Sequence, residues 1–288
     1  MKSLVNLPSF IYFDKDLNKL NKLQKLLLLI KGIYFIFVMN FTNGKTFCFF
    51  SNLIYKKNGK ISFSDGKYYK NTYDQQKIYY PNKRIDRVMV DYEKNFRNLY
   101  QTYLLDKVDF QKNDKVVDCG ANVGELKYAL NFYNKDIEYI AFEPDSDVYE
   151  CLVMNMDNKS TLVNKALAME NTVKQLYIDS EGANTSLVDF GSVNNYQVET
   201  ITLDSLNLTN IKLLKIDAEG YEPEVLIGAT NTLKEIAYIS VDYGNERGAD
   251  EKSTMVEVTN FLYSKNFKLI ADSNIRKVGL FKNKKSEV

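Results

Sequence analysis

Val116-Val117-Asp118-Cys119-Gly120-Ala121-Asn122-Val123-Gly124 is the stretch that decides how this chain folds. A short apolar run ends in an acid and then in a turn with two glycines. Glu125 to Tyr133 follows with Leu126, Ala129 and Leu130 on one helical face. Two later segments end the same way. Ile140-Ala141-Phe142-Glu143-Pro144 is one, and Leu213-Leu214-Lys215-Ile216-Asp217-Ala218-Glu219-Gly220 is the other. Buried strands that end in acids, each followed by a helix, describe an open α/β sheet with a ligand site at its carboxyl ends.

The glycine turn narrows the ligand. A dinucleotide loop needs glycines at its first, third and sixth positions. Counted from Gly120, the third position is Asn122 and the sixth is Glu125. A Gly-Lys-Ser/Thr phosphate loop is also missing here. A carboxylate at the helix start repels a pyrophosphate, so a nucleoside with a zwitterionic tail fits better. Taken alone, the turn also suits any tight strand–helix junction. Glu143 stands 25 positions after Asp118. An acid one βα unit past the glycine turn is placed to accept both hydroxyls of a ribose. Pro144 stops the strand by removing a backbone donor.

Asp217 ends the fourth strand, and Pro223 opens the helix after it at a tolerated position. Helix-dipole preference accounts for Glu222 and Glu224, but not for Asp217, which precedes the helix.

Three blocks together resemble the FkbM family of S-adenosylmethionine-dependent methyltransferases: Val117 to Gly124, Phe142 to Pro144, and Lys215 to Leu226, in which Lys215-Ile216-Asp217-Ala218-Glu219-Gly220-Tyr221-Glu222 is the most specific part. The resemblance spans roughly residues 86 to 288. It implies a Rossmann-like α/β sheet of seven strands, the last antiparallel, and methyl transfer to a hydroxyl of a sugar or polyketide-like acceptor. It also implies that Asp118, Gly120, Ala121, Asn122 and Gly124 surround the methionine part of the cofactor. Glu143 and Pro144 would hold the ribose end, Ala166 would lie near the adenine, and Asp217 would face the transferred methyl. Members often carry a histidine after the fifth strand. This chain has no histidine, and reads Asp242-Tyr243-Gly244-Asn245-Glu246-Arg247-Gly248 there.

A hydroxyl titrates far above neutral pH, so its proton needs a receiver. Asp217 is the first choice as base or orienter, with Glu219 and Asp242 next. The same three carboxylates could instead hold Mg²⁺ and lower the hydroxyl pKa directly. Glu246 and Arg247 are candidates to contact acceptor hydroxyls, or are an ordinary solvated loop. A non-catalytic cofactor-binding partner subunit is the competing reading; so is an enzyme of lipid or polyketide alcohols.

Charge is spread unevenly. Residues 1–100 hold 18 Lys+Arg and 7 Asp+Glu, and the remainder holds 20 and 30. A nucleic-acid enzyme would want its basic face around the catalytic cleft, and here the catalytic part is acidic. Cys48, Cys119 and Cys151 show no ligand spacing, which suits a reducing, cytoplasmic setting.

Residues 1–85 read as a separate N-terminal region and 86–288 as the methyltransferase domain. In the first, leucines recur at helical spacing from about Asp16 to Lys31, and an aromatic-rich run follows to Thr42. Lys31 interrupts the apolar stretch before it reaches spanning length. Residues 16–42 therefore suit a peripheral membrane contact, packing on the catalytic domain, or a homo-oligomer interface. The pairs Asn43-Gly44, Asn58-Gly59 and Asp65-Gly66 predict hairpin turns of a small β-meander over Thr46–Tyr55, Ile61–Phe63 and Ile78–Tyr80.

Overall fold

The computed structural model describes residues 17–56, 59–73, 75–179, 185–273 and 276–287. Asp16 and Asn58, each used above to place a helix or turn, lie outside them. The chain divides into two compact units between Tyr92 and Glu93.

The first unit begins with α1 (Lys22–Phe41) and α2 (Gly44–Ile54). Three strands follow: β1 (Ile61–Ser64), β2 (Lys67–Asn71) and β3 (Lys77–Tyr80), with α3 (Asp86–Met89) after them. Asn21 caps α1 in a reciprocal box with Gln24. The helix does not stop at Lys31 but carries the aromatic run through to Phe41. The expected strand from Thr46 to Tyr55 is likewise helix, and Asn43-Gly44 starts it rather than turning a hairpin. Short aromatic runs are ambiguous between the two periods. Here Phe47, Cys48 and Ser51 are buried at helical spacing, and Phe47 meets Phe35 of α1 edge-on. The meander survives as β1, β2 and β3, all antiparallel, with Asp65-Gly66 as the tight turn.

Helix α4 (Tyr92–Thr102) starts at that division, separate from α3. The sheet strands and their crossovers follow in order: β4 (Asp114–Cys119), α5 (Glu125–Phe132), β5 (Ile137–Phe142), α6 (Ser146–Asn155) and β6 (Thr161–Val163). Next come β7 (Ala166–Leu167), β8 (Val173–Tyr177) and β9 (Asn195–Ile201), then β10 (Ile211–Ile216), α7 (Glu222–Ile227) and β11 (Ile236–Asp242). A small hairpin of β12 (Asn245–Arg247) and β13 (Lys252–Ser253), α8 (Met255–Ser264), β14 (Phe267–Asp272) and β15 (Val278–Asn283) complete it.

The main sheet has seven strands in the order β14-β15-β11-β10-β4-β5-β6. Only β15 runs against its neighbours, as the sequence suggested. Strands β7, β9 and β8 form a separate three-stranded sheet. Val117, Ile140, Leu214 and Ile239 from the central strands bury against Val225, Leu226, Val258 and Leu262 of α7 and α8. Burial on both faces is why these strands read as continuous apolar runs.

Candidate functional site

The carboxyl ends of β4, β5, β10 and β11 place the predicted acids in one region. Gly120 and Ala121 both donate their N–H to the Phe142 carbonyl at 3.0 Å, which ties the loop after β4 to the end of β5. Gly120 has φ +72°, and a Cβ there would sit 2.0 Å from the Asp217 carbonyl oxygen. Asp217 in turn donates its N–H to the Cys119 carbonyl at 3.2 Å. The glycine loop and the turn after β10 therefore touch backbone to backbone, and no side chain fits between them.

Glu143 holds that loop from below. Its Oε2 accepts the Asn122 N–H at 2.8 Å and its Oε1 accepts the Asp145 N–H at 2.9 Å. Each oxygen keeps a further lone pair, so two hydroxyls of a ligand fit an acceptor of this kind. Burial pushes the Glu143 carboxyl up to about 7, against those N–H bonds. Asn122 spends its side-chain oxygen on the Val123 N–H at 2.9 Å, and Gly124 sits at φ +89° just before α5. Pro144 follows Glu143 directly. Ala166 is buried in β7, on the separate sheet.

Asp118 is fully buried. Its Oδ1 lies 3.0 Å from the Lys215 ammonium, and its Oδ2 accepts the Tyr139 hydroxyl at 2.5 Å. Lys215 also donates to the Gly120 carbonyl at 2.8 Å and lies 3.2 Å from that of Cys119. Burial works against its charge, but Asp118 and then Asp217 outweigh it and hold the ammonium above its ordinary range. Lys215 thus locks the glycine loop from inside, a role that its place in an apolar strand run did not announce.

A second cluster stands beside the loop. Asp217 accepts a hydrogen bond from the Tyr103 hydroxyl. Arg276, from the turn before β15, lies 2.7 Å from Asp242, 3.2 Å from Glu246 and 4.0 Å from Asp217. Burial, then Asp217 and Glu246, hold the Glu219 carboxyl far above the usual carboxylate range. Burial and then Asp217 raise Asp242 in the same way. Glu219 and Glu246 share a hydrogen bond. The raised Glu219 carboxyl keeps its proton near neutrality, so it is the donor. Sequence reasoning placed neither Tyr103 nor Arg276.

The turn itself is fixed by Glu222, which accepts the N–H of Gly220 at 2.8 Å, that of Ala218 at 3.2 Å and the Thr254 hydroxyl at 2.8 Å. Arg247 is spent internally. Its guanidinium grips both oxygens of Glu224, at 2.9 and 2.6 Å, and the Gly220 carbonyl at 2.6 Å. Oxygens of Asp217, Glu219 and Glu246 lie within 4.8 Å of one another, a spacing that could hold a metal ion. Glu246 stands in that set where the sequence suggested Asp242.

An α/β sheet of this order, with a glycine loop over an acid-bearing second strand, defines a Rossmann-like methyltransferase. The methyltransferase FkbM domain matches residues 118–269, more than half of the chain. The chain belongs to the FkbM methyltransferase family, whose methyl donor is S-adenosylmethionine, as the sequence motifs implied. A methyltransferase FkbM from Methylobacillus flagellatus is similar at 17% identity and TM-score 0.42, over 68% of this chain and 56% of that one. The chain therefore spans just over half the length of that structure. A TrmK from M. capricolum, solved with S-adenosylhomocysteine, is similar at 10% identity and TM-score 0.41, over 65% and 68% of the two chains. A SAM-dependent methyltransferase from Aquifex aeolicus gives 12% identity and TM-score 0.39, over 66% and 97%. No curated protein matches the chain.

Proposed function

We propose that this protein is an S-adenosylmethionine-dependent O-methyltransferase that acts on a hydroxyl of a sugar or glycan-type acceptor. The observation that carries this reading is the group Asp217, Glu219, Asp242 and Glu246 around Arg276, directly against the glycine loop. S-adenosylmethionine supplies an electrophilic methyl group and leaves as S-adenosylhomocysteine.

The chain's own groups do the rest. Glu143 is an acceptor-only carboxylate for the ribose hydroxyls. Gly120, Ala121, Asn122 and Gly124 shape the loop that carries the methionine end, with Asp118 acting through Lys215. A cluster rich in carboxylates, with one guanidinium, suits an acceptor that has several hydroxyls to donate. Asp217 takes the acceptor proton as the new C–O bond forms, and Tyr103 orients its carboxylate. Glu219, holding its own proton, is a hydrogen-bond donor rather than a base. Holding donor and acceptor in line supplies much of the acceleration, so no strong base is required. The three free, buried cysteines support a reducing, cytoplasmic setting.

The test is methyl transfer from labelled S-adenosylmethionine to a panel of sugars, glycans and polyketide or fatty alcohols. The product oxygen is assigned by NMR, with Asp217→Asn alongside. A methylated sugar hydroxyl, lost in Asp217→Asn, supports the proposal. Transfer only to the apolar alcohols overturns the acceptor class. Cofactor binding with no transfer to any member of the panel moves the non-catalytic partner reading to the front.

A further inference from the structure

None of the candidate site residues named above belongs to the first unit, which carries an apolar surface of its own. The α1 helix is 20 residues long and apolar enough in composition to cross a bilayer. One side of it is already taken. Leu28, Gly32, Phe35 and Val38 are buried, and Phe35 packs edge-on against Phe47 and Tyr55. At 100° per residue the opposite side presents Leu23, Leu26, Ile30, Ile33, Phe37 and Phe41, each half or more exposed. Tyr34 donates to the Phe50 carbonyl at 3.1 Å, which brings the end of α2, with Phe49 and Leu53 exposed, alongside that stripe. Exposed apolar side chains in one continuous band are rare on a soluble surface unless something covers them.

Charge identifies the cover. Residues 17–56 contain six lysines and no acid. Lys22, Lys25 and Lys31 are exposed on α1 itself. A second copy of the chain would bring lysine against lysine with no local carboxylate to offset them. An anionic lipid surface supplies apolar chains and negative headgroups together, and lysine stems reach from one to the other. A spanning helix would need apolar contact all round, whereas one side of α1 is sealed by its own unit.

We infer that the α1–α2 pair docks flat on an anionic membrane surface, with the Leu23–Phe41 stripe in the headgroup and acyl boundary. The docking stands on the first unit alone and does not depend on the proposed acceptor.

The test is co-sedimentation of the full chain with phosphatidylcholine vesicles, with or without about a third phosphatidylglycerol. Two variants accompany it: Leu26→Glu/Ile30→Glu/Phe37→Glu, and Lys22→Gln/Lys25→Gln/Lys31→Gln. All six positions are exposed, and circular dichroism checks that the fold is kept. Binding at least about tenfold tighter to the anionic vesicles, lost in the first variant and reduced to the neutral-vesicle level in the second, is the expected result. Equal binding to both vesicles, no binding, or wild-type binding by the Leu26→Glu/Ile30→Glu/Phe37→Glu protein overturns it. So does a wild-type dimer in sedimentation equilibrium that this variant converts to monomer, since a second copy would then be the cover.

Discussion

Arg276 Nε lies 2.7 Å from the Asp242 carboxylate, and the same guanidinium reaches Glu246 at 3.2 Å. One cation from the last turn thus offsets acids from two other segments. Removing it leaves buried carboxylates without a counter-charge, which costs about 3 kcal/mol where they stay ionised. They escape by taking protons, and Asp242 is already raised by burial and Asp217. A raised acid contributes stability at low pH and loses it as pH climbs through its folded value. The Arg276→Ala deficit should therefore be small at pH 7 and grow by about 1–2 kcal/mol by pH 9, since Asp242 ionises in the wild type only as pH passes about 8. Urea unfolding at both pH values measures this, and a deficit that ignores pH would refute the pairing.

Glu143 gives a pH dependence of the opposite kind for ligand affinity. Its carboxyl is pushed to about 7, chiefly by burial. Only the ionised form is acceptor-only at both oxygens. S-adenosylhomocysteine should bind more tightly as pH rises from 6 to 8, by up to about tenfold. Glu143→Gln should bind more weakly and with little pH dependence. Calorimetry across that range decides it. A wild-type affinity that falls with pH would mean that the protonated acid donates to the ligand instead.

Much of this was legible from sequence because strands buried on both faces leave apolar runs of fixed length, and their terminal acids stand out. Asp118, Glu143, Asp217 and Asp242 stood out that way, whereas the seven strands and the antiparallel last strand came with the family resemblance. Arg276 was not, because its turn carries no pattern. The topology alone places it: β15 runs antiparallel to β11, pairing Val278 with Asp242. The residues just before β15 must then lie at the carboxyl end of the sheet. Tyr103 was missed for a similar reason, since it follows α4 and reaches Asp217 only in the folded chain. In the first unit, short aromatic runs hid a helix, and only the partners of Phe47 resolve the period.

Two glycines separate conformation from space. Gly66 and Gly120 have nearly the same φ, +77° and +72°. A Cβ on Gly66 would meet nothing, whereas one on Gly120 would collide with the Asp217 carbonyl oxygen. Gly66→Ala should cost about 1–2 kcal/mol, the price of the left-handed backbone. Gly120→Ala should cost clearly more, because backbone must move, and it should lose S-adenosylhomocysteine binding. Denaturant midpoints and calorimetry test the pair. Equal losses would mean that the loop and the β10 turn are free to separate.

The carboxylates Asp217, Glu219 and Glu246 are close enough to share a cation, but Arg276 already stands among them and Glu219 keeps its proton. Chelation should leave the methyl transfer rate within about twofold, and added Mg²⁺ should not raise it. A rate that falls on treatment with EDTA and returns with one particular divalent ion would assign the cluster to that metal.

Lys215 and Asp118 carry the last prediction. Their side chains are 5% and 0% exposed and 3.0 Å apart. Lys215→Met strands a buried carboxylate and should cost about 3–5 kcal/mol. Asp118→Asn removes the charge that needs the lysine but keeps a polar group for the Tyr139 hydroxyl. If the pair acts as a unit, the double variant should be less destabilised than the sum of the singles by at least about 1 kcal/mol. It should not return to wild type, because the Lys215 ammonium also holds the Gly120 carbonyl at 2.8 Å. Cofactor affinity should follow the lysine rather than the aspartate, since the lysine is the group that touches the loop. Additive losses, or affinity that tracks Asp118 alone, would show instead that Asp118 serves the ligand directly and not through Lys215.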